Sequence, residues 1–230
     1  MRRYVSGAGV ALLLLALCGT SSAGNRDDAI WAAAQKRATP FVDELRVLVD
    51  IDSGTGYAPG VERVGTLLAQ RLRELGANVE MRDSAPAVGK TVIGTWQGSG
   101  SVDVLLMIHY DTVFDPGEAA RRPFRIEGGK AYGPGVADAK GGILVILNAL
   151  SIARDRGFRG YRRLTVMFNP DEEKSSLGSR NIIRDLAARH DFVLSYEPPE
   201  ADQVIIATNG VAYVHLDVKG RSSHAGSAPE

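Results

Sequence analysis

Sulfur chemistry is almost absent from this chain, whose 230 residues hold a single cysteine, Cys18. That cysteine falls in a segment read below as a removable leader. The mature protein then has no thiol, which excludes a cysteine nucleophile, disulfide bonds and thiolate metal sites. A metal could bind only through His, Asp and Glu. An excess of either charge is also missing: Lys plus Arg and Asp plus Glu stand at 27 each, so nothing points to a nucleic-acid surface or an acidic tail. No internal repeat or low-complexity segment stands out.

The N-terminal apolar run is short. Arg2 and Arg3 precede Val10 to Cys18, too few residues to span a bilayer, and the small residues Ser21, Ser22 and Ala23 follow. Residues 1–23 therefore read as a signal peptide, with a mature chain starting near Gly24 in the periplasm or secreted medium and no membrane association once the leader is gone. Lipidation at Cys18 is the alternative, against which stands the bulky Leu17.

What is present is alternating helix and strand. Residues 27–50 carry apolar positions at helical spacing, with Pro40 marking a break or a new start. After "DSGTGYAPG", a turn feeding a helix, Val61 to Leu75 repeats the helical pattern and stops at Gly76. Strands are expected over 78–81, 91–96, 103–109, 164–168 and 192–196, and helices over 141–153 and 177–188. The order predicts an α/β fold, a mostly parallel sheet with helices on both faces, whose strands are continuous apolar runs such as "DVLLMIH" and "LTVMF". From Val211 to Val218 the texture changes to alternation, an antiparallel strand opening a second domain. A phosphate loop at Gly89 to Thr91 is rejected, because Ser84 stands where its leading glycine belongs and a strand follows.

Ligands of open α/β sheets gather at the carboxyl ends of the strands. Those ends carry His109 and Asp111, then Asp171, Glu172 and Glu173, then Glu197, and Asp138 is expected to begin the intervening helix. These oxygen and nitrogen donors suit zinc, with manganese or cobalt as substitutes. Each has an ordinary reading: a capped histidine, a helix-capping aspartate, a solvated first turn, a plain loop glutamate. Those readings must all hold at one edge of one sheet.

"MIHYDTV", "AYGPGVADAKGG", "NPDEEKSSLGS" and "VLSYEP", in this order, resemble the carboxypeptidase G (glutamate carboxypeptidase) branch of the aminoacylase-type zinc metallopeptidases, and "GRSSHAGSAPE" resembles the start of that family's dimerisation (lid) domain. The resemblance implies a zinc exopeptidase catalytic domain over 24–209 and an incomplete lid over 210–230. It implies two zinc ions sharing a water: Asp138 bridging, His109 and Glu197 completing the first site, and Glu173 in the second. Glu172 would be the general base, and Asp111 would accept the other ring N–H of His109. His224 matches a lid histidine that reaches the neighbouring subunit's substrate site in dimeric relatives, so a homodimer is implied for the full-length form. The implied substrate is a small peptide or an N-acyl amino acid, cut to release a C-terminal amino acid. Aminoacylase or dipeptidase activity within the family stays open, as does an inactive fragment that binds a metal or a partner. The family's last zinc ligand is a histidine far downstream, so the chain is expected to be a partial sequence with weak or absent activity alone. Ala139 stands where relatives often place an aspartate, and residues 198–210 contain no Lys or Arg to grip a glutamate substrate.

Overall fold

The computed structural model describes residues 26–198, 204–207, 214, 216, 217 and 219. The chain divides into two compact units, Met1–Pro198 and Pro199–Glu230. In the second, the described residues carry no helix or strand, and Val204, Ile206, Val214 and Leu216 are exposed. The strand expected over 211–218 falls largely outside the described residues.

Three helices lead the first unit. Asp27 caps α1 (Asp28–Lys36), its carboxylate accepting the backbone N–H groups of Ala29 and Ile30. The break comes at Arg37, and Pro40 sits in the first turn of α2 (Ala38–Val49), where the missing N–H costs nothing. Helix α3 (Ala58–Glu74) ends as expected, with Gly76 at φ 86°, a left-handed conformation that glycine adopts without strain.

The sheet is built from β1 (Asn78–Asp83), β2 (Lys90–Gln97), β3 (Asp103–His109), β6 (Arg163–Asn169) and β7 (Phe192–Ser195), in the spatial order β1-β2-β6-β3-β7. Strands β6, β3 and β7 are parallel neighbours, whereas β2 runs antiparallel to both β1 and β6, so one strand of five is reversed. A short helix, α4 (Glu118–Arg121), follows β3, and a small hairpin, β4 (Arg125–Glu127) and β5 (Lys130–Tyr132), stands apart from this sheet.

Helices cover both faces. On one, Val166, Phe168 and Ile108 pack with Leu68 and Leu72 of α3 and with Ile143, Ile146 and Leu147 of α5 (Gly142–Asp155). On the other, Met167, Leu105 and Ile93 meet Leu186 of α6 (Arg180–Ala187). Burying each large side chain contributes about 1.5–3 kcal/mol, so β6, with Val166, Met167 and Phe168 wholly shielded, anchors the layer. Helix α5, with the turn before it, is apolar and long enough to cross a membrane, but half of that stretch is buried inside the protein. Strand β7 departs from the expected double cover: Phe192, Val193 and Leu194 are exposed, and among the described residues the strand pairs with β3 alone.

At the amino end of β3, buried Asp103 accepts from Arg162 at 2.7 Å and Arg163 at 2.6 Å, and the Arg162 guanidinium holds its carboxyl below the usual carboxylate range. This polar anchor leaves the carboxyl ends of the strands free for other work.

Truncating Phe168 to alanine should cost about 3–5 kcal/mol, as a cavity opens in a site with no exposure. Phe192→Ala on the open strand should stay within roughly 0.5 kcal/mol. Urea midpoints of the 230-residue chain check both, and equal losses would contradict the difference in burial.

Candidate metal centre

Parallel pairing sets the site. Because β6, β3 and β7 lie side by side and point the same way, their carboxyl ends emerge together, with His109 of the middle strand in register with Asn169 of β6. The loop after β6 carries residues 171–173, and the segment after β7 carries Glu197. A fourth segment arrives from the irregular turn Val136–Gly141 ahead of α5.

That turn corrects one expectation. Asp138 does not begin the helix: its backbone stands at φ −108° and ψ 95°, its bond to Ala139 is cis, and α5 starts only at Gly142. Held this way, Asp138 sends Oδ1 to 2.9 Å from His109 Nε2, while Ala139 is buried in the core.

The described donors converge. Ligand atoms of His109, Asp138 and Glu173 all lie within 4.8 Å of one another, and Glu197 Oε2 stands 3.5 Å from His109 Nε2. His109 is almost wholly buried, whereas Asp138 and Glu197 are exposed and Glu173 is half-buried. One polar face of the ring thus opens onto carboxylates and the other is sealed by protein.

The seal is Asp111, which has no exposed surface. Its backbone carbonyl lies 3.0 Å from His109 Nδ1, and its Oδ1 lies 3.3 Å from the same nitrogen. The carboxylate also accepts the backbone N–H of Glu172 at 3.1 Å, that of Glu173 at 3.2 Å, and the Thr55 hydroxyl at 2.6 Å. A single buried group therefore ties the ends of β3 and β6 to the turn before α3.

The three consecutive acids of the β6 loop separate. Asp171 is buried and turned away, accepting from Gly178 N, Ser179 N and Ser179 Oγ, so it pins the approach to α6. Glu172 and Glu173 form a single turn with Lys174. Crowding by the surrounding protein raises the carboxyl of Glu172, His109 works against that rise, and Glu197, Asp111 and Asp138 add to it. Glu173 is raised by burial first and then by Asp138. For His109, burial disfavours the proton, but Asp111 and Glu197 outweigh it and push the imidazole up to about 11. Among the described residues His109 is the leading positive group acting on either glutamate, and the carboxylates around it outnumber it. A set of hard and borderline donors with uncompensated negative charge fits a divalent cation.

Of the expected site residues, His109, Asp138, Glu173 and Glu197 come together, Asp111 stands behind the ring, and Glu172 begins the turn beside them. His224 lies outside the described residues. His190 is a structural histidine, bonded to Leu186 O and Thr165 Oγ1. Two contacts had no sequence signal. Thr55 sits in a glycine-rich turn remote in sequence from Asp111, and Lys140 is buried with Nζ 2.8 Å from Ile51 O. Desolvation pulls the Lys140 ammonium down to about 8.

Comparison with known proteins is consistent with this geometry. The family model described as Peptidase family M20/M25/M40 matches residues 105–225. Carboxypeptidase G2 of Pseudomonas sp. (strain RS-16) is 42% identical over 235 aligned residues, covering all of this chain and 57% of that protein. The chain thus spans little more than half the length of this curated relative. Among solved structures, human carnosine dipeptidase 1 superposes with a TM-score of 0.62 at 19% identity, over 73% of this chain and 40% of that one. An M20 family metallo-carboxypeptidase from Sulfolobus solfataricus gives a TM-score of 0.58 at 18% identity, over 68% and 37% of the two chains. These two likenesses concern the fold, and the extended sequence match concerns descent: the chain belongs to peptidase family M20/M25/M40.

Proposed function

We propose that the full protein is a zinc-dependent hydrolase that cuts an amide or peptide bond and releases a C-terminal amino acid from a small peptide or N-acyl amino acid. The observation that carries this reading is the convergence of His109, Asp138 and Glu173 within 4.8 Å, in a chain 42% identical to a carboxypeptidase. Glutamate is the nearest analogy for the released residue.

In this reading His109 and Glu197 would hold one cation and Glu173 a second, with Asp138 contributing to both. Bound there, the ions supply a lowered pKa for water and polarisation of the scissile carbonyl. The remaining chemistry belongs to the protein. Glu172, with its carboxyl raised by its surroundings, takes a proton from the attacking water and returns it to the leaving nitrogen. Its backbone is fixed by Asp111 while its side chain keeps an exposed face, which leaves room for that transfer. Asp111 holds the proton of His109 on Nδ1 and so turns the Nε2 lone pair toward the cation. Export by residues 1–23 and a homodimer in which His224 reaches the partner's site complete the proposal. Both features fall outside the described residues.

In the full-length gene product, Glu172→Ala should retain zinc but lose roughly 10²–10⁴ in kcat on acyl-glutamate or dipeptide substrates, whereas Glu173→Ala should lose metal. Turnover assays paired with metal analysis of each variant check this, and an unchanged rate in Glu172→Ala would remove the base assignment.

Metal affinity should also depend on pH. With its pKa pushed up to about 11, metal-free His109 holds a proton throughout the neutral range, and a cation binds only as that proton leaves. Apparent cobalt(II) affinity should therefore weaken roughly tenfold for each unit the pH is lowered below about 8. The raised carboxyls of Glu172 and Glu173 act in the same direction as they begin to protonate. Calorimetric titrations across that range measure the slope, and a flat profile would mean that His109 is not a ligand.

A further inference from the structure

The segment 51–55 has no catalytic residue of its own, yet it is fixed at every step. The Ile51 carbonyl accepts from buried Lys140 at 2.8 Å. The Asp52 carboxylate accepts the N–H groups of Gly117 and Ala119, each at 2.8 Å. Ser53 O takes the Thr112 N–H, Thr55 N donates to Thr112 O, and Gly54 pairs with Thr112 as a short parallel bridge. Gly54 lies so close that a Cβ there would come within 2.1 Å of Phe114 O, so the backbone can be held at this distance only by glycine. All of this rigidity ends in one side-chain contact, the Thr55 hydroxyl donating to Asp111 Oδ2 at 2.6 Å.

We infer that Thr55 is a positioning residue for the metal centre: its hydroxyl fixes the plane of the Asp111 carboxylate, and through it the relative placement of His109, Glu172 and Glu173. The inference rests on the reading above, in which Asp111 orients a metal-ligating histidine. The geometry is specific. A carboxylate can rotate about its bond to Cβ, and three of its partners here, His109 Nδ1 and the N–H groups of Glu172 and Glu173, belong to the strand and loop that it must align. A reference outside those two elements is needed to set the rotation. Thr55 provides it, from a turn that is held by Lys140, Gly117 and Ala119 as well as by the backbone of Thr112 beside Asp111. The short contact to a buried, charged acceptor is of the stronger class of hydrogen bond. Without it Oδ2 keeps, among the described residues, only the Glu173 N–H, and the carboxylate can turn to suit one partner at the expense of another.

The test compares Thr55→Val, which keeps the shape and removes the donor, with Thr55→Ser, which keeps the donor. Amide hydrogen exchange in the metal-free 230-residue chain is the first readout. Thr55→Val should speed exchange at Glu172 and Glu173 roughly tenfold, with Thr55→Ser close to wild type and amides of β1 and β2 unchanged in both. Cobalt(II) affinity is the second readout: it should fall roughly tenfold or more in Thr55→Val, with an altered d–d absorption band, and recover in Thr55→Ser. Unchanged exchange at both glutamates in Thr55→Val would overturn the inference, and so would a uniform loss of protection across the sheet in both variants, which would mark a merely structural role. If Thr55→Val shows the selective exchange pattern but wild type binds no cobalt, the metal reading fails while the link from Thr55 to the glutamate turn stands.

Discussion

Carboxylates brought within a few ångströms of one another repel, and in a pocket partly screened from water that repulsion must be answered by protons or by a cation. At the carboxyl edge of this sheet Asp111, Asp138, Glu172, Glu173 and Glu197 all act on one another or on one imidazole, and His109 is the one positive group among them. The surrounding architecture is organised around that concentration of charge. Parallel β6, β3 and β7 deliver it, the turn before α5 bends to add Asp138, and the buried Asp111 carboxylate is satisfied entirely by donors from the protein. In the metal-free protein the field is spent on keeping a proton on His109. The same field attracts a divalent ion.

Functions are divided among neighbouring acids by the direction of the backbone. Asp171, Glu172 and Glu173 are consecutive, yet the first is sunk among the donors that lead into α6 and the other two rise toward the pocket on one short turn. A tight turn after a fully buried strand achieves this, since β6 cannot shift without opening the core at Val166, Met167 and Phe168. The precision of the site thus derives from apolar packing a few residues upstream.

Much of this was legible in the sequence because apolar runs and donor residues are local signals. "LTVMF" and "DVLLMIH" gave strands within a residue or two of β6 and β3, and the strand-end rule drew attention to His109, Glu173 and Glu197. Asp138 was identified as a residue but misplaced in conformation, since the turn that carries it is shaped by contacts with buried Ala139 and Lys140 rather than by helix propensity. The β4–β5 hairpin escaped notice even though Gly128 and Gly129, both at positive φ, mark its turn, because three-residue strands are too short to show alternation. Thr55 was invisible in a different way: its partner is 56 positions away, and no periodicity links a glycine-rich turn to a strand end. The reversal of β2 was equally hidden, since direction depends on how chain connections close and not on the composition of the strand.

Among the described residues, strand β7 leaves the sheet with one lateral rim of backbone amides and carbonyls unpaired, flanked by Phe192, Val193 and Leu194. Nothing chemical distinguishes such a rim from the seam by which β3 already grips β7, so a further extended peptide of any origin can be recruited there by the same ladder of bonds. Among the described residues this margin is a place where lateral pairing of an extended strand can begin.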